Sequence, residues 1–189
     1  MPVLLRLIVL LLVGLLVPAC DRQKLEAPQA PAADTAAADA ASGKGLDPSH
    51  KGKMAPTTAF NDPSGKKISI ASFKGAPLLV NLWATWCAPC VKELPTIEAL
   101  AASQKGKLTV IAVSQDMGEK SAVDAFLASK KLGRFAAYHD PEMALSLDLG
   151  AQVLPTTILF DAAGKEVWRF TGDMDWTGPE AAKLLAAVG

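Results

Sequence analysis

The chain has little that would mark a metal protein or a nucleic-acid binder. Its 189 residues include two His, at 50 and 139, three Cys and one Tyr. Two His exclude a His-rich metal site, and three Cys are too few for a disulfide scaffold. No sign of charge is in surplus: Lys+Arg and Asp+Glu both number 19. A protein that displaces counterions from phosphates needs a basic excess, so a nucleic-acid partner is excluded. The isolated pairs Lys66-Lys67 and Lys130-Lys131 read as solvated surface. Aromatic residues are missing from the start of the chain, and all of them lie between Phe60 and Trp176. A packed core is therefore expected only from about Phe60 onward. The length fits one domain with an appendage, and no internal repeat is present.

The appendage begins with an address. Residues 1–19 read MPVLLRLIVLLLVGLLVPA, with Arg6 as the only charge and an uninterrupted apolar run from Leu7 to Val17. Spanning a hydrocarbon core takes roughly 20 helical residues, so this run is short for a span. It fits the apolar region of an export signal, with Arg6 as a minimal basic start. Val17-Pro18-Ala19-Cys20 resembles the lipobox of bacterial lipoproteins, where the Cys is lipidated and becomes N-terminal; Pro18 departs from the usual small residue. The readings for residues 1–20 are thus a lipoprotein signal acting at Cys20, a simple cleaved signal or a retained anchor. Asp21 after a lipidated Cys20 resembles the signal that retains lipoproteins in the inner membrane. All three readings export the remainder to an oxidising compartment. Residues 21–53 are rich in Ala, Pro, Gly and Ser, without an aromatic or a sustained period. Such a segment cannot offset its ordering entropy by burial. We expect a flexible tether with a reach of roughly 30 Å, leading to a domain over 54–189.

Within that domain the hydrophobic pattern alternates between two periods. Ala59-Phe60 and Ile68-Ser69-Ile70 flank the turn Asn61 to Gly65, which predicts a hairpin. Leu78 to Trp83 is apolar except for Asn81, as in a central strand buried on both faces. Ala88 to Ser103 places Val91, Leu94, Ile97 and Ala101 on one helical face. Leu108 to Val113 predicts a second buried strand. Ser121 with Asp124 has the spacing of a capping box for a further helix. Asp140-Pro141 opens another helix, which Gly150 ends. Thr156–Phe160 and Lys165–Phe170 flank Asp161 to Gly164 as an antiparallel hairpin. Thr177 with Glu180 caps a last helix to about Val188. Strands alternating with helices and ending in a hairpin predict an α/β fold with a mixed sheet and helices on both faces.

The chemistry concentrates at Trp86-Cys87-Ala88-Pro89-Cys90. Two Cys three apart, after a buried strand and at the start of a helix, suit dithiol exchange. Free N–H groups and the helix macrodipole favour a thiolate at Cys87. Cys90 lies about one turn on, close enough to close a small disulfide and to resolve a mixed one. Pro89 fits the first turn without losing a hydrogen bond. Other uses of the pair stay open. Zinc would need two further ligands. A Cu(I) site could add Met143 or Met174. A purely structural disulfide would close only a very small loop.

The block from Asn81 to Pro95, with Trp83, Trp86, Cys87, Cys90, Glu93 and Leu94, resembles the active-site block of the thioredoxin-like TlpA/ResA family of extracytoplasmic thiol–disulfide oxidoreductases. The resemblance runs from about Phe60 to the C-terminus. It implies a thioredoxin-like fold, three-layer α/β/α with a central mixed sheet and an N-terminal β-hairpin extension. It implies an attacking Cys87, exposed, and a buried resolving Cys90. It places Leu154-Pro155-Thr156 where the family has its cis-proline, so that Leu154 offers backbone to an extended substrate. Trp86, Ala88, Pro89, Leu154 and Pro155 are then the substrate-binding residues. Pro95 matches the proline inside the active-site helix, and Trp83 reads chiefly as core.

Two departures from thioredoxin are informative. Asn81 stands where thioredoxin has a buried Asp ahead of its first active-site Cys, and Asn cannot accept a proton. Glu93 matches a glutamate near the dithiol in ResA-like members, which implies proton transfer at Cys90 or tuning of the thiols. The alternative is a solvated helix glutamate beside Lys92. His139 reads as a satisfied structural histidine. The family implies disulfide-containing protein substrates such as apocytochrome c or copper-delivery proteins, a membrane thiol reductase as electron donor, and anchorage at the inner membrane facing the periplasm. The sulfurs themselves carry the electrons, so no cofactor is expected. The reverse direction (a thiol oxidase), a Cu(I) chaperone using the same dithiol, and a binding module that merely keeps the fold remain alternatives.

Overall fold

The computed structural model describes residues 45–132 and 136–186; the leader residues and Cys20 lie outside the described residues. Eight strands form a single mixed sheet. They are β1 (Gly45–Asp47), β2 (Phe60–Asn61), β3 (Lys67–Ile68), β4 (Leu78–Trp83), β5 (Thr109–Ser114), β6 (Ala137–His139), β7 (Thr156–Phe160) and β8 (Glu166–Thr171). The helices are α1 (Ala88–Ser103), α2 (Lys120–Ser129), α3 (Ala144–Leu149) and α4 (Pro179–Leu185), with a 3-10 turn at Ile70–Phe73. The sheet order is β1-β8-β7-β4-β5-β6-β2-β3. β4 sits in the middle, parallel to β5 and antiparallel to β7.

All of β4 is buried, which accounts for its near-continuous apolar sequence. Its side chains alternate between the two faces of the sheet. Leu78, Val80 and Leu82 pack with Ile111, Val113, Ile158 and Phe160 against Leu145 and Leu149 of α3 and Ile70 of the 3-10 turn. On the other face Leu79 packs with Leu159 and Trp168 against Ile97 and Leu100 of α1 and Ala181 of α4. Trp83 packs on that face with Leu94 of α1 and with Val123 and Leu127 of α2. Burying each of these large side chains contributes about 1.5–3 kcal/mol. The expected three-layer α/β/α fold is thus present.

The helix starts differ from the sequence expectation. Ser121 does not cap α2. Its N-cap is Glu119, without a side-chain bond, and Asp124 instead pairs with Lys120 one turn earlier. Thr177 does not cap α4 either, because its hydroxyl donates to Asp175 and Gly178 takes the N-cap position. Spacing alone could not choose between these local partners. Asp140 does hold the start of α3, accepting the amides of Ala144 and Leu145. Gly150 ends α3 in the left-handed conformation, with φ of 66°.

The boundary of the folded part is also corrected. Composition extends the tether to residue 53, yet Gly45–Asp47 pair antiparallel with Thr171–Arg169 of β8. Gly52 N–H then donates to Glu166 O, and Glu166 N–H to Lys53 O. These residues gain order from main-chain pairing rather than from apolar side chains, so composition does not reveal it. The expected β2–β3 hairpin is present at the opposite edge, joined to β6.

β8 also carries a buried ion pair. Arg169 Nε and Nη2 donate to the two oxygens of Glu166, each at 2.7 Å, and Nη1 donates to Leu149 O at the end of α3. Replacing Arg169 by Met strands the Glu166 carboxylate in the interior. A loss of about 3–5 kcal/mol is expected in urea unfolding; a loss within experimental error would remove this pair as a tie between β8 and α3.

Candidate active site

The turn after β4 delivers Cys87 to the N-cap of α1. Asp116, just beyond β5, holds this turn in place. Its carboxylate accepts Thr85 N–H at 2.9 Å, Thr85 Oγ1 at 2.6 Å and Ser114 Oγ at 2.7 Å. His139 Nε2 meets Asp116 O at 2.8 Å, a structural role as expected. Ala88 and Pro89 form the first two positions of α1, where the missing N–H of Pro89 costs nothing. Cys87 and Cys90 are joined as a disulfide, with Cα atoms 5.3 Å apart. Cys87 Sγ also accepts the N–H of Cys90, as an N-cap side chain does. Reduction would place a Cys87 thiolate at this same donor and at the positive end of the helix.

Accessibility differs from expectation in degree. Cys87 is only 6% exposed, because it packs in the cluster of Trp83 and Leu94 that Leu154 joins, while Cys90 is fully buried. Cys87 remains the more accessible sulfur. Trp86 projects into solvent at 68% exposure, and Ala88 and Pro89 are exposed beside it. The Leu154–Pro155 peptide bond is cis. Pro155 is buried, and Leu154 packs against the cluster that contains Cys87 and Cys90. The tertiary structure thus brings Leu154 to the cluster that holds the dithiol from a distant part of the sequence. Trp83 is core, its ring 6.2 Å from that of Phe126. Met143 lies on the surface near Trp86, and Met174 packs in the core beneath α1 and α4.

Glu93 is not a solvated helix residue. It is 2% exposed and lies one turn after Cys90 on the buried face of α1. Asn81 Nδ2 donates to its Oε1 at 2.7 Å. Met174 N–H and Trp176 Nε1 both donate to its Oε2 at 3.1 Å. Asn81 Nδ2 also reaches Thr157 Oγ1 at 3.0 Å, on the neighbouring strand β7. Burial pushes the Glu93 carboxyl up to about 7, against the lowering effect of these donors, and the nearby Asp173 carboxylate adds to the rise. A buried carboxyl with a raised pKa thus stands on α1 and is hydrogen-bonded to the Asn81 of β4. Sequence reasoning reached Glu93 but missed Trp176, Met174 and Thr157, which lie far from it along the chain and carry no local signature.

A carboxyl with a raised pKa opposes folding wherever it must ionise. Unfolded, Glu93 titrates near 4.5; folded, near 7. Stability from this group is complete below about pH 4.5 and is lost as pH rises to about 7, a fall of about 3 kcal/mol. In Glu93→Gln this slope should vanish from the oxidised protein, although total stability drops because Gln cannot accept all three donors. Urea midpoints across that pH range measure it, and an unchanged slope would assign the titration elsewhere.

The comparisons with known proteins agree with this geometry. The family model described as Redoxin matches residues 50–187. The thiol-disulfide oxidoreductase ResA of Bacillus subtilis is 34% identical over 125 residues, covering 66% of this chain and 69% of that protein. The thiol:disulfide interchange protein DsbE of Xylella fastidiosa is 34% identical over 130 residues, covering 66% of this chain and 62% of that protein. A crystal structure from Chlorobium tepidum, described as a candidate thiol:disulfide interchange protein DsbE, superposes with a TM-score of 0.65 at 27% identity, covering 74% of this chain and 98% of that one. With a helix-capping dithiol, a cis-proline and these relatives together, the chain belongs to the redoxin family and is a thioredoxin-like thiol–disulfide oxidoreductase.

Proposed function

We propose that the protein reduces disulfides in exported partner proteins through Cys87 and Cys90. The observation that carries the direction is the burial of Glu93 one turn behind Cys90. Strong oxidants of this kind are strong because their reduced form is stabilised. A buried carboxylate on the same helix disfavours the Cys87 thiolate that would stabilise the reduced form, which favours the disulfide and makes the dithiol a better reductant.

In the proposed cycle the Cys87 thiolate attacks one sulfur of the substrate disulfide. One S–S bond breaks, a mixed disulfide forms, and the other substrate sulfur leaves as a thiolate. Glu93, ionised, takes the proton of Cys90. Cys90 then attacks Cys87 Sγ, releasing the second substrate sulfur and closing the Cys87–Cys90 disulfide. Two electrons pass to the substrate, whose thiolates take up protons. Trp86, Ala88, Pro89 and the cis Leu154–Pro155 segment are the contact surface, with the backbone of Leu154 pairing to an extended substrate. A membrane thiol reductase returns the electrons. Residues 1–20 export the chain and anchor it at the periplasmic side of the inner membrane, with Cys20 as the lipidated residue. Apocytochrome c and copper-delivery proteins are the substrate classes this reading favours.

The reduction potential of the intact chain tests the direction, with Cys20 replaced by Ser so that one dithiol titrates. Against glutathione or dithiothreitol buffers we expect a value below about −220 mV; a value near about −120 mV, that of a strong periplasmic oxidant, would make the protein a disulfide donor. In Cys90→Ala the mixed disulfide should accumulate on Cys87, visible as a reducible adduct on gels, and its absence would remove Cys90 as the resolving thiol. Labelling with palmitate should be lost in Cys20→Ser; retained labelling would place the lipid elsewhere.

A further inference from the structure

Beside the disulfide lies a groove of about 380 Å³, between the active-site turn and α3. Trp86, next to Cys87 in the chain, and Leu154, which packs against the cluster that holds the dithiol, line it together with Met143, Ser146 and Leu147. Leu147 is 76% exposed and Met143 38%, so large apolar side chains stand open in the groove. Met143 holds a left-handed backbone with φ of 52° just ahead of α3, a conformation uncommon outside glycine.

The polar side chains that line the groove are Gln115, Glu142, Ser146 and Gln152. Glu142 is the only charged residue that lines it, and no Lys or Arg does, among the described residues. Glu142 is exposed and makes no ion pair or hydrogen bond among the described residues. Gln115 also lines the groove and is 1% exposed. Its amide nitrogen donates to Val113 O at 3.4 Å. That leaves Gln115 Oε1 buried with no partner. A buried acceptor without a donor is costly, and each such group calls for an explanation. An aromatic face, apolar walls, a free carboxylate and a spare acceptor are together complementary to one side-chain type. It has a long apolar stem and a cationic head rich in N–H donors, which describes arginine.

We propose that this groove receives an arginine of the substrate polypeptide, flanking the cysteine that exchanges with Cys87. The stem lies between Trp86 and Leu147, the guanidinium pairs with Glu142, and an N–H is offered toward Gln115. The inference rests on the oxidoreductase reading and adds a sequence preference to it. The groove then favours disulfides in a basic context and disfavours those beside acidic residues.

The test uses the reduced full-length protein and short peptides that each hold one intramolecular disulfide. Arg, its neutral isostere citrulline, norleucine or Glu is placed at each flanking position in turn. At one position Arg should raise the second-order rate about tenfold over citrulline at low salt, and salt should erode the gain. Glu142→Gln should abolish the difference while leaving the citrulline peptide unchanged, and Glu142→Lys should turn the preference toward Glu-bearing peptides. Equal rates for Arg and citrulline at every position, or a preference that survives Glu142→Gln, would overturn the assignment. Norleucine and citrulline peptides separate the two readings: if all peptides react alike, only the groove assignment falls, and if none is reduced, the oxidoreductase reading falls with it.

Discussion

The carboxyl of Glu93 is the point through which the strand, the helix and the loop of the site are tied together. A carboxyl group cannot be buried without partners, because the desolvation cost is too large. Here the partners are Asn81 in the central strand β4, and Met174 and Trp176 in the segment between β8 and α4. Trp176 is itself fixed, stacked 6.4 Å from Trp168 and edge-on to Phe170. Meeting the needs of one carboxyl therefore sets where α1 lies on the sheet and how the chain runs into α4.

That arrangement has a chemical consequence. A fully exposed glutamate would stay ionised and do little near a disulfide. Burial instead brings the Glu93 carboxyl to about 7, close to the pH at which thiols are used. The dithiol and Glu93 lie on successive turns of the same helix. Asp116 performs the complementary task on the outer side, fastening the turn that presents Trp86 and Cys87 through Thr85. The inner network holds the Glu93 carboxyl, and the outer one holds the turn.

The site is built where the sheet changes the sense of its pairing. β4 is parallel to β5 on one side and antiparallel to β7 on the other. The carboxyl end of β4 thus meets the start of β7, and Leu154, just ahead of β7, packs against the cluster that contains Cys87. Sites at such places in α/β sheets are formed by loops that a rigid sheet holds close together.

Much of this was legible in the residues. β4 and α1 were readable to their ends, because a continuous apolar run and a helical period are local properties of Leu78–Trp83 and Ala88–Ser103. The dithiol was legible because Cys-Ala-Pro-Cys encodes its own geometry over one helical turn. Glu93 was legible only as a choice between a proton carrier and a solvated residue. β1 was illegible, since Gly45–Asp47 are held by main-chain bonds to β8 that leave no mark on composition. The caps expected at Ser121 and Thr177 do not form because short polar side chains have several local partners within reach. The sequence by itself determined the nature of the reaction, since sulfur chemistry resides in covalent side chains at fixed spacing. Only the tertiary structure decided the environment of that reaction: the burial of Glu93, the accessibility of Cys87 and the groove beside Trp86. Desolvation and long-range donors are properties of what surrounds a residue, and those surroundings come from segments distant in the chain.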